Sequence, residues 1–134
     1  MGAAGQLIIF GGGSAGGRGS LVLLDSVRAM IPSSSNVLGF LDSPYYIDLK
    51  PYNSDFIGFP GQTVKFNENF KSNLYGECAQ AFPDELYKCL LGQYRAPFVK
   101  TSYLIIASQF DTWQLSHDVQ NYDGMFKNPN YTDD

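Results

Sequence analysis

The sequence is poor in charge, and this shortage excludes several classes of protein. Only 16% of its 134 residues are charged, against about a quarter in typical soluble domains, while 44% are apolar. Low charge at ordinary hydrophobicity argues against intrinsic disorder and predicts a buried core. The net charge is −4, and the nine lysines and arginines form no cluster that could neutralise phosphates. We therefore expect no nucleic-acid partner.

Cysteine, histidine and long apolar runs are also scarce. Cys78 and Cys89 are too few for a disulfide-dense miniprotein, and with a single histidine they argue against a zinc site. The longest strongly apolar runs, Leu21 to Leu24 and Tyr103 to Ala107, fall far short of the roughly 18 residues that span a bilayer. No stretch reads as a secretion signal. The sequence predicts no metal site and no membrane span.

The first third of the chain has the pattern of a strand, a helix and a second strand. Gln6–Phe10 is a short apolar run that predicts a strand buried on both faces. Apolar residues then recur at helical spacing, which predicts a helix over Ala15–Met30, and Val37–Leu41 forms a second apolar run that ends at Asp42. Such a unit requires a parallel sheet with helices on its faces. The fold class is therefore α/β.

The remaining segments alternate between loops and short elements. The stretch Ser43–Gly61 is rich in proline and aromatic residues and predicts an ordered loop. We expect helices over Asn67–Tyr75 and from Pro83 to Leu91, and a third parallel strand over Ser102–Ser108. Thr112 is the expected cap of a last helix.

The turn between the first strand and the first helix carries a candidate nucleophile. Gly12-x-Ser14-x-Gly16 fits a nucleophile elbow, a strained strand-to-helix turn in which only small residues are tolerated two positions before and after the serine. The Ala15 backbone N–H at the helix start could stabilise the oxyanion of a tetrahedral intermediate. This pattern predicts acyl transfer.

The same turn fits two other interpretations. Gly11-x-Gly13-x-x-Gly16 matches a dinucleotide-binding fingerprint, with Asp42 at the end of the next strand as the candidate ribose ligand. The glycines could also serve only close packing of strand and helix. The turn by itself leaves the three interpretations open.

Several motifs together resemble the pectin acetylesterase and Notum family of α/β-hydrolases. They keep the family's order from residue 7 to residue 116 and comprise Ser14-Ala15-Gly16-Gly17 with Gly19 and Asp25, Leu41-Asp42-Ser43 with Tyr46-Ile47-Asp48, Cys78 and Cys89 followed by Leu90-Leu91-Gly92-Gln93-Tyr94, and Phe110-Asp111-Thr112-Trp113-Gln114. The sequence departs from the family at Gly13, where Cys or Ser is usual, and at Pro44, where Gly is usual.

The resemblance implies a role for each of a few residues. Ser14 would be the nucleophile, the Ala15 N–H an oxyanion donor, and Asp111 the triad acid that orients a histidine. Gly12, Gly16 and Gly17 would form the elbow. Asp111 stands after a later parallel strand, where the acid of this triad order belongs, although a helix N-cap is the alternative. Asp42 is better explained as a structural carboxylate at a strand end than as the triad acid. Arg18 is expected to be a solvated residue of the first helical turn.

Secretion and a disulfide also follow from the resemblance. The family's enzymes are secreted, so we expect Cys78 and Cys89, on either side of a turn that begins at Pro83, to form a local disulfide. The chain itself would then be secreted or extracellular.

The single histidine, His117, does not fit the base of a triad. It follows Asp111 by only six residues on an expected helix, whereas the family's base lies on a loop after a further strand. We therefore expect residues 1–134 to form one incomplete α/β-hydrolase domain, a central fragment with an incomplete sheet. This chain alone is expected to be catalytically inactive.

The resemblance implies a serine carboxylesterase that uses no cofactor and, in its complete form, removes O-acyl groups. The substrate would be an O-acylated glycan or a lipidated protein. Two alternatives stay open: a nucleotide-binding Rossmann-like half-domain, and a non-catalytic protein derived from a hydrolase.

Overall fold

The computed structural model describes residues 5–51, 55–72 and 74–119. Its internal contacts divide the chain into two compact units. The first comprises Met1–Tyr46 with Asn73–Ala107, and the second comprises Ile47–Ser72 with Ser108–Asp134. Each unit is described separately.

The first unit is built on a parallel sheet of three strands. Strands β1 (Leu7–Gly13), β2 (Asn36–Asp42) and β3 (Tyr103–Ile106) pair side by side in that order, and helix α1 (Ala15–Met30) connects the first two. Gly13 lies beside Asp42, and Asp42 beside Ile106. The predicted βαβ unit and the α/β fold class are confirmed, and the bounds of α1 are those that its apolar spacing predicts.

One face of the sheet carries the core. Leu21 from α1, Leu41 from β2 and Ala96 form the buried cluster, with Tyr103 and Ile105 packed against it. On the opposite face five large apolar side chains are exposed: Leu7, Ile9, Phe40, Leu104 and Ile106. The prediction that β1 is buried on both faces is therefore wrong for the described chain. Helix α1 packs on the core face, where its Leu21 belongs to the buried cluster.

Helix α1 lies unusually close to the sheet at Gly39. A Cβ atom at this position would stand 2.6 Å from Leu24 Cδ2 and 2.8 Å from the Tyr103 Cβ, well inside van der Waals contact. Only glycine fits, and the fully buried Leu24 occupies the space that a side chain would take.

Short helices joined by a disulfide complete the first unit. They are α3 (Glu77–Ala81), a 3-10 turn (Leu86–Leu90), α4 (Gly92–Arg95) and a second 3-10 turn (Ala96–Phe98). The continuous helix predicted from Pro83 to Leu91 is wrong, because Pro83 lies in the irregular segment between α3 and the first 3-10 turn.

The predicted disulfide is present. Cys78 in α3 and Cys89 in the first 3-10 turn are bonded, with their Cα atoms 5.9 Å apart, and both side chains are fully buried. The bond joins two short elements covalently and stabilises them mainly by restricting the unfolded chain.

The second unit contains α2 (Gly58–Phe70), α5 (Thr112–Gln114) and a π-helical turn over Leu115–Val119. Two boundaries differ from the sequence prediction. The expected loop ends earlier, since Pro60 fits the first turn of α2, where its missing N–H is tolerated. The helix predicted over Asn67–Tyr75 ends at Phe70, because Lys71 takes a left-handed conformation with φ 45°. No helix of the described residues is long and apolar enough to cross a membrane.

Candidate active site

Ser14 occupies a strained backbone conformation between β1 and α1. Its φ is 51° and its ψ −122°, a region that residues with a Cβ rarely adopt. The Ser14 N–H donates to the Asp42 carbonyl at 2.9 Å, and the Ser14 carbonyl accepts from the Arg18 N–H at 2.9 Å. These two bonds fix the turn to the neighbouring strand and to the helix. The geometry is that of an elbow.

Three glycines flank this turn, and two of them are required by close contact. A Cβ at Gly12 would lie 2.8 Å from the Gly16 carbonyl carbon, and one at Gly17 would lie 2.7 Å from the Asp42 carbonyl oxygen. At Gly16 itself a Cβ would meet nothing within 4 Å. The structure thus differs from the expectation that Gly16 must be small, because its missing side chain would point into open space.

The Ser14 hydroxyl is available to a reacting partner. Serine at a helix N-cap usually accepts a hydrogen bond from the helix amides, but here the side chain makes no capping bond. Its Oγ lies instead 3.2 Å from the Tyr46 hydroxyl, and the residue is exposed. Ala15 is the first residue of α1, where backbone amides have no acceptor within the helix. A hydroxyl and an amide donor therefore stand next to each other at a helix N-terminus.

Arg18 is not the solvated residue that its place in the first helical turn suggests. Its guanidinium carbon lies 5.5 Å from the centroid of the Tyr46 ring. Burial lowers the pKa of Arg18, an effect that its interaction with Tyr46 partly opposes. The side chain covers the aromatic ring beside Ser14 instead of extending into water.

Asp111, in the second unit, caps the last helix. One carboxylate oxygen accepts from the backbone N–H groups of Trp113 and Gln114 at 3.0 and 3.2 Å, and the other accepts from the Gln114 side-chain amide at 3.0 Å. The cap is therefore Asp111 and not Thr112, because only the carboxylate reaches back over the first turn. Asp111 also lines a cleft of about 100 Å³ together with Ile47.

The only histidine of the chain is held by its own helix. His117 Nδ1 lies 2.8 Å from the Trp113 carbonyl oxygen and 2.8 Å from the Ser116 hydroxyl. Its ring stacks on the Trp113 indole, with the centroids 4.1 Å apart. A carbonyl oxygen can only accept, so Nδ1 carries the proton. In a triad this proton would go to the acid, but here it goes to Trp113 and not to Asp111.

Asp118 is a buried acid of the second unit that sequence reasoning did not single out. Its side chain is fully buried, and burial raises the pKa of its carboxyl to about 7. A hydrogen bond from the Phe59 backbone amide lowers this pKa, and the negative charges of Asp111 and Asp48 raise it further. From the sequence, an acid that follows His117 on a polar helix is expected to be exposed to solvent, so no pattern predicts its burial. The π-helical turn places it inside.

The other expected acid, Asp42, has a structural role in the turn after β2. One of its carboxylate oxygens accepts from the Ser43 hydroxyl at 2.9 Å, and its carbonyl holds Ser14. Among the described residues no group of three or more histidine, cysteine, aspartate or glutamate side chains could hold a metal ion.

The fold and the turn define the class of protein. A parallel sheet with a strained serine between its first strand and the following helix is part of an α/β-hydrolase fold. A sequence model of the pectinacetylesterase family matches residues 1–130. The chain belongs to this family, which decides against the dinucleotide-binding interpretation of its glycines.

Individual relatives are esterases of two kinds. The palmitoleoyl-protein carboxylesterase NOTUM of Drosophila melanogaster is 27% identical over 118 residues, which cover 85% of this chain and 17% of the relative. Pectin acetylesterase 7 of Arabidopsis thaliana is 29% identical over 114 residues, covering 84% and 28%. The chain therefore spans less than a third of these relatives' length.

Solved structures give the same result. Two crystal forms of the Wnt deacylase Notum from Drosophila superpose on this chain with TM-scores of 0.77 and 0.80, at 26% sequence identity. The superpositions cover 84% and 87% of this chain and 34% of the other.

Proposed function

We propose that this chain is the nucleophile-bearing segment of a carboxylic-ester hydrolase of the pectin acetylesterase and Notum type. The observation that carries the proposal is the backbone of Ser14, held at a φ of 51° with its hydroxyl free of capping bonds. A strained residue persists only where the surrounding structure holds it, and such residues cluster at reactive sites. Residues 1–134 would then be one incomplete hydrolase domain.

The proposed reaction is acyl transfer through Ser14. Its Oγ forms a bond to the carbonyl carbon of an ester while the hydroxyl proton passes to an imidazole base oriented by Asp111. The carbonyl π electrons move to oxygen, and the Ala15 N–H donates to that oxyanion. Collapse of this intermediate breaks the ester bond and releases the alcohol, which takes the proton from the imidazole. Water then hydrolyses the acyl-serine by the reverse sequence of proton transfers.

The substrate class follows from the relatives. One relative is named a pectin acetylesterase and another a palmitoleoyl-protein carboxylesterase, so we propose an O-acylated glycan or a lipidated protein as the acyl donor. The disulfide between Cys78 and Cys89 supports a function outside the cell, since disulfides persist in oxidising compartments.

A second candidate function is a non-catalytic protein derived from a hydrolase. The observation that favours it is that His117, the one histidine of the sequence, directs its Nδ1 proton at the Trp113 carbonyl, so that residues 1–134 supply no base for Ser14. On either proposal, residues 1–134 alone should show no hydrolysis that depends on Ser14, because a serine hydroxyl without a base is a poor nucleophile.

The test uses the natural gene product that contains residues 1–134, purified and assayed with p-nitrophenyl acetate and p-nitrophenyl octanoate. We expect Ser14→Ala to lower kcat by at least about 1000-fold. Ser26→Ala, which removes a hydroxyl from the same helix, is the matched control and should retain activity. Turnover that survives Ser14→Ala would refute the serine mechanism, and its absence from the unmutated protein would favour the non-catalytic alternative.

A further inference from the structure

The hydroxyl of Tyr46 lies within hydrogen-bond distance of the candidate nucleophile. It lies 3.2 Å from Ser14 Oγ, at the end of a side chain that is only 5% exposed. Ser14 itself faces solvent. A buried aromatic residue thus presents its one polar atom to the oxygen that is proposed to react. Neither the elbow motif nor the position of Ala15 requires such a hydroxyl.

The backbone of Tyr46 is anchored at both ends. Its N–H donates to the Pro44 carbonyl at 3.1 Å, and its carbonyl accepts from the Gln93 N–H at 3.2 Å. Gly92 lets α4 approach this segment, since a Cβ there would lie 2.7 Å from the Tyr45 Cα. With the backbone fixed and the ring buried, the hydroxyl has little freedom to leave Ser14. Such prior positioning is what makes a hydrogen-bond donor effective in a transition state.

Arg18 supplies a positive charge to the same ring. Its guanidinium lies over the ring face, 5.5 Å from the centroid, and an arginine stays charged at all physiological pH values. A cation on the face of a phenol attracts the ring's electron density, which makes the hydroxyl a stronger hydrogen-bond donor. The arrangement therefore favours donation by Tyr46 over acceptance.

The direction of the bond between the two hydroxyls follows from the chemistry of attack. A nucleophilic serine directs its own proton at a base, so its lone pairs are left to accept from another donor. Once the ester carbon is bonded to Ser14 Oγ, the oxyanion sits on that same carbon. A phenol within hydrogen-bond distance of Oγ can then turn its proton to the oxyanion by a small rotation about its C–O bond.

We propose that Tyr46 is a further catalytic residue, whose hydroxyl donates to the reacting oxygens at Ser14 together with the Ala15 N–H, and that Arg18 strengthens this donor through the ring. The inference rests on the proposed ester-hydrolase function. It assigns the tyrosine a role in the transition state, so removing its hydroxyl should affect kcat more than KM.

The test compares Tyr46→Phe with Tyr103→Phe in the natural gene product, assayed with p-nitrophenyl acetate. Tyr46→Phe keeps the ring and should lower kcat by at least about tenfold while KM changes by less than about twofold. Tyr103 donates to the Ala96 carbonyl at 3.0 Å in the core, so Tyr103→Phe loses a structural bond and should leave kcat unchanged. Unfolding by urea, measured on both variants, reports any general loss of structure.

Arg18→Met provides the second arm, because methionine keeps an unbranched apolar stem without the charge. We expect it to lower kcat in the unmutated background and to have little further effect in Tyr46→Phe, since Arg18 acts through the phenol. Equal effects of Arg18→Met in both backgrounds would overturn the link to Tyr46. A kcat that survives Tyr46→Phe but is lost in Ser14→Ala overturns the role of Tyr46 alone. A kcat insensitive to Ser14→Ala overturns the proposed function and the role of Tyr46 with it.

Discussion

The carboxylate of Asp25, on helix α1, binds the backbone and the side chain of Thr101, the second residue before β3. It accepts from the Thr101 N–H at 2.8 Å and from the Thr101 hydroxyl at 2.6 Å, and the Lys100 N–H adds a third donor at 3.1 Å. Burial alone would raise the pKa of Asp25, but these bonds and the charge of Arg95 lower it. One side chain thus joins the first helix to the strand at the far side of the sheet.

The first prediction is that Asp25→Asn destabilises the fold. Both Thr101 bonds go to one carboxylate oxygen, which an amide can keep as an acceptor. The other oxygen accepts from the Lys100 N–H and would become an N–H donor, so we expect a loss of about 2 kcal/mol in the free energy of unfolding by urea. Because the folded-state pKa is depressed, the contribution of Asp25 is present at neutral pH and is lost as pH falls below about 4. The exposed Asp84→Asn is the control. Equal stabilities of the two variants would contradict the role of Asp25.

Gly12→Ala and Gly16→Ala should have opposite effects on stability. The first places a Cβ 2.8 Å from backbone, which cannot move aside as a side chain can, so we expect a loss of about 1 to 3 kcal/mol. The second adds a methyl group in open space inside a helix and should gain about 0.5 to 1 kcal/mol. Thermal unfolding followed by circular dichroism distinguishes them. A destabilising Gly16→Ala would mean that the turn is not folded as described.

Removal of the disulfide should cost about 3 kcal/mol. Cys78 and Cys89 are 11 residues apart, and the bond acts mainly by restricting the unfolded chain. The double variant Cys78→Ala with Cys89→Ala avoids burying new hydroxyl groups, and its urea midpoint is compared with that of the unmutated protein. Reduction of the unmutated protein by dithiothreitol should give the same shift, and an unchanged midpoint after verified reduction would contradict this estimate.

Asp118 should make the folded protein less stable as pH rises. Its carboxyl is protonated in the folded state up to about pH 7 but ionises near pH 4 in the unfolded chain, so the folded state binds more protons across that interval. The free energy of unfolding should therefore fall between pH 4 and pH 7, by roughly 2 to 4 kcal/mol, and level off above. Asp118→Asn should remove this slope. The exposed Asp55→Asn should keep it, and an unchanged slope in Asp118→Asn would assign the effect to another group.

Asp111→Asn separates the two roles of Asp111. Asparagine is as good a helix cap as aspartate, so stability should change by less than about 1 kcal/mol. A triad acid replaced by its amide leaves the imidazole in the wrong tautomer, and kcat for p-nitrophenyl acetate in the natural gene product should fall by about 10,000-fold. A variant that is stable and fully active would show that Asp111 is a cap and nothing more.

The elements that the sequence predicts correctly are those whose structure depends on a single local pattern. The spacing of apolar residues predicts α1 and the strands around it, and the small residues around Ser14 predict the strained turn. The boundary of α2 was not predictable in the same way. Pro60 and Gly61 read as loop residues, yet proline is tolerated in the first turn of a helix, and a Cβ at Gly61 would lie 2.4 Å from Ile57 Cγ1.

The parts of the site that the sequence did not predict depend on contacts between distant segments. Tyr46 and Arg18 are 28 positions apart, and no pattern in either segment marks a ring beneath a guanidinium. Asp118 faces inward because a π-helical turn shifts the phase of the helix, and an i, i+3, i+4 pattern assigns it to the wrong side.

The backbone of Ser14 also has an evolutionary consequence. Glycine adopts a φ of 51° and a ψ of −122° readily, whereas serine pays about 1 to 3 kcal/mol to stay there. Mutational drift under selection for folding alone would therefore move this position toward glycine, one nucleotide change away for some serine codons. Selection on the proposed nucleophile would oppose that drift and would keep serine at this position in spite of its cost to stability.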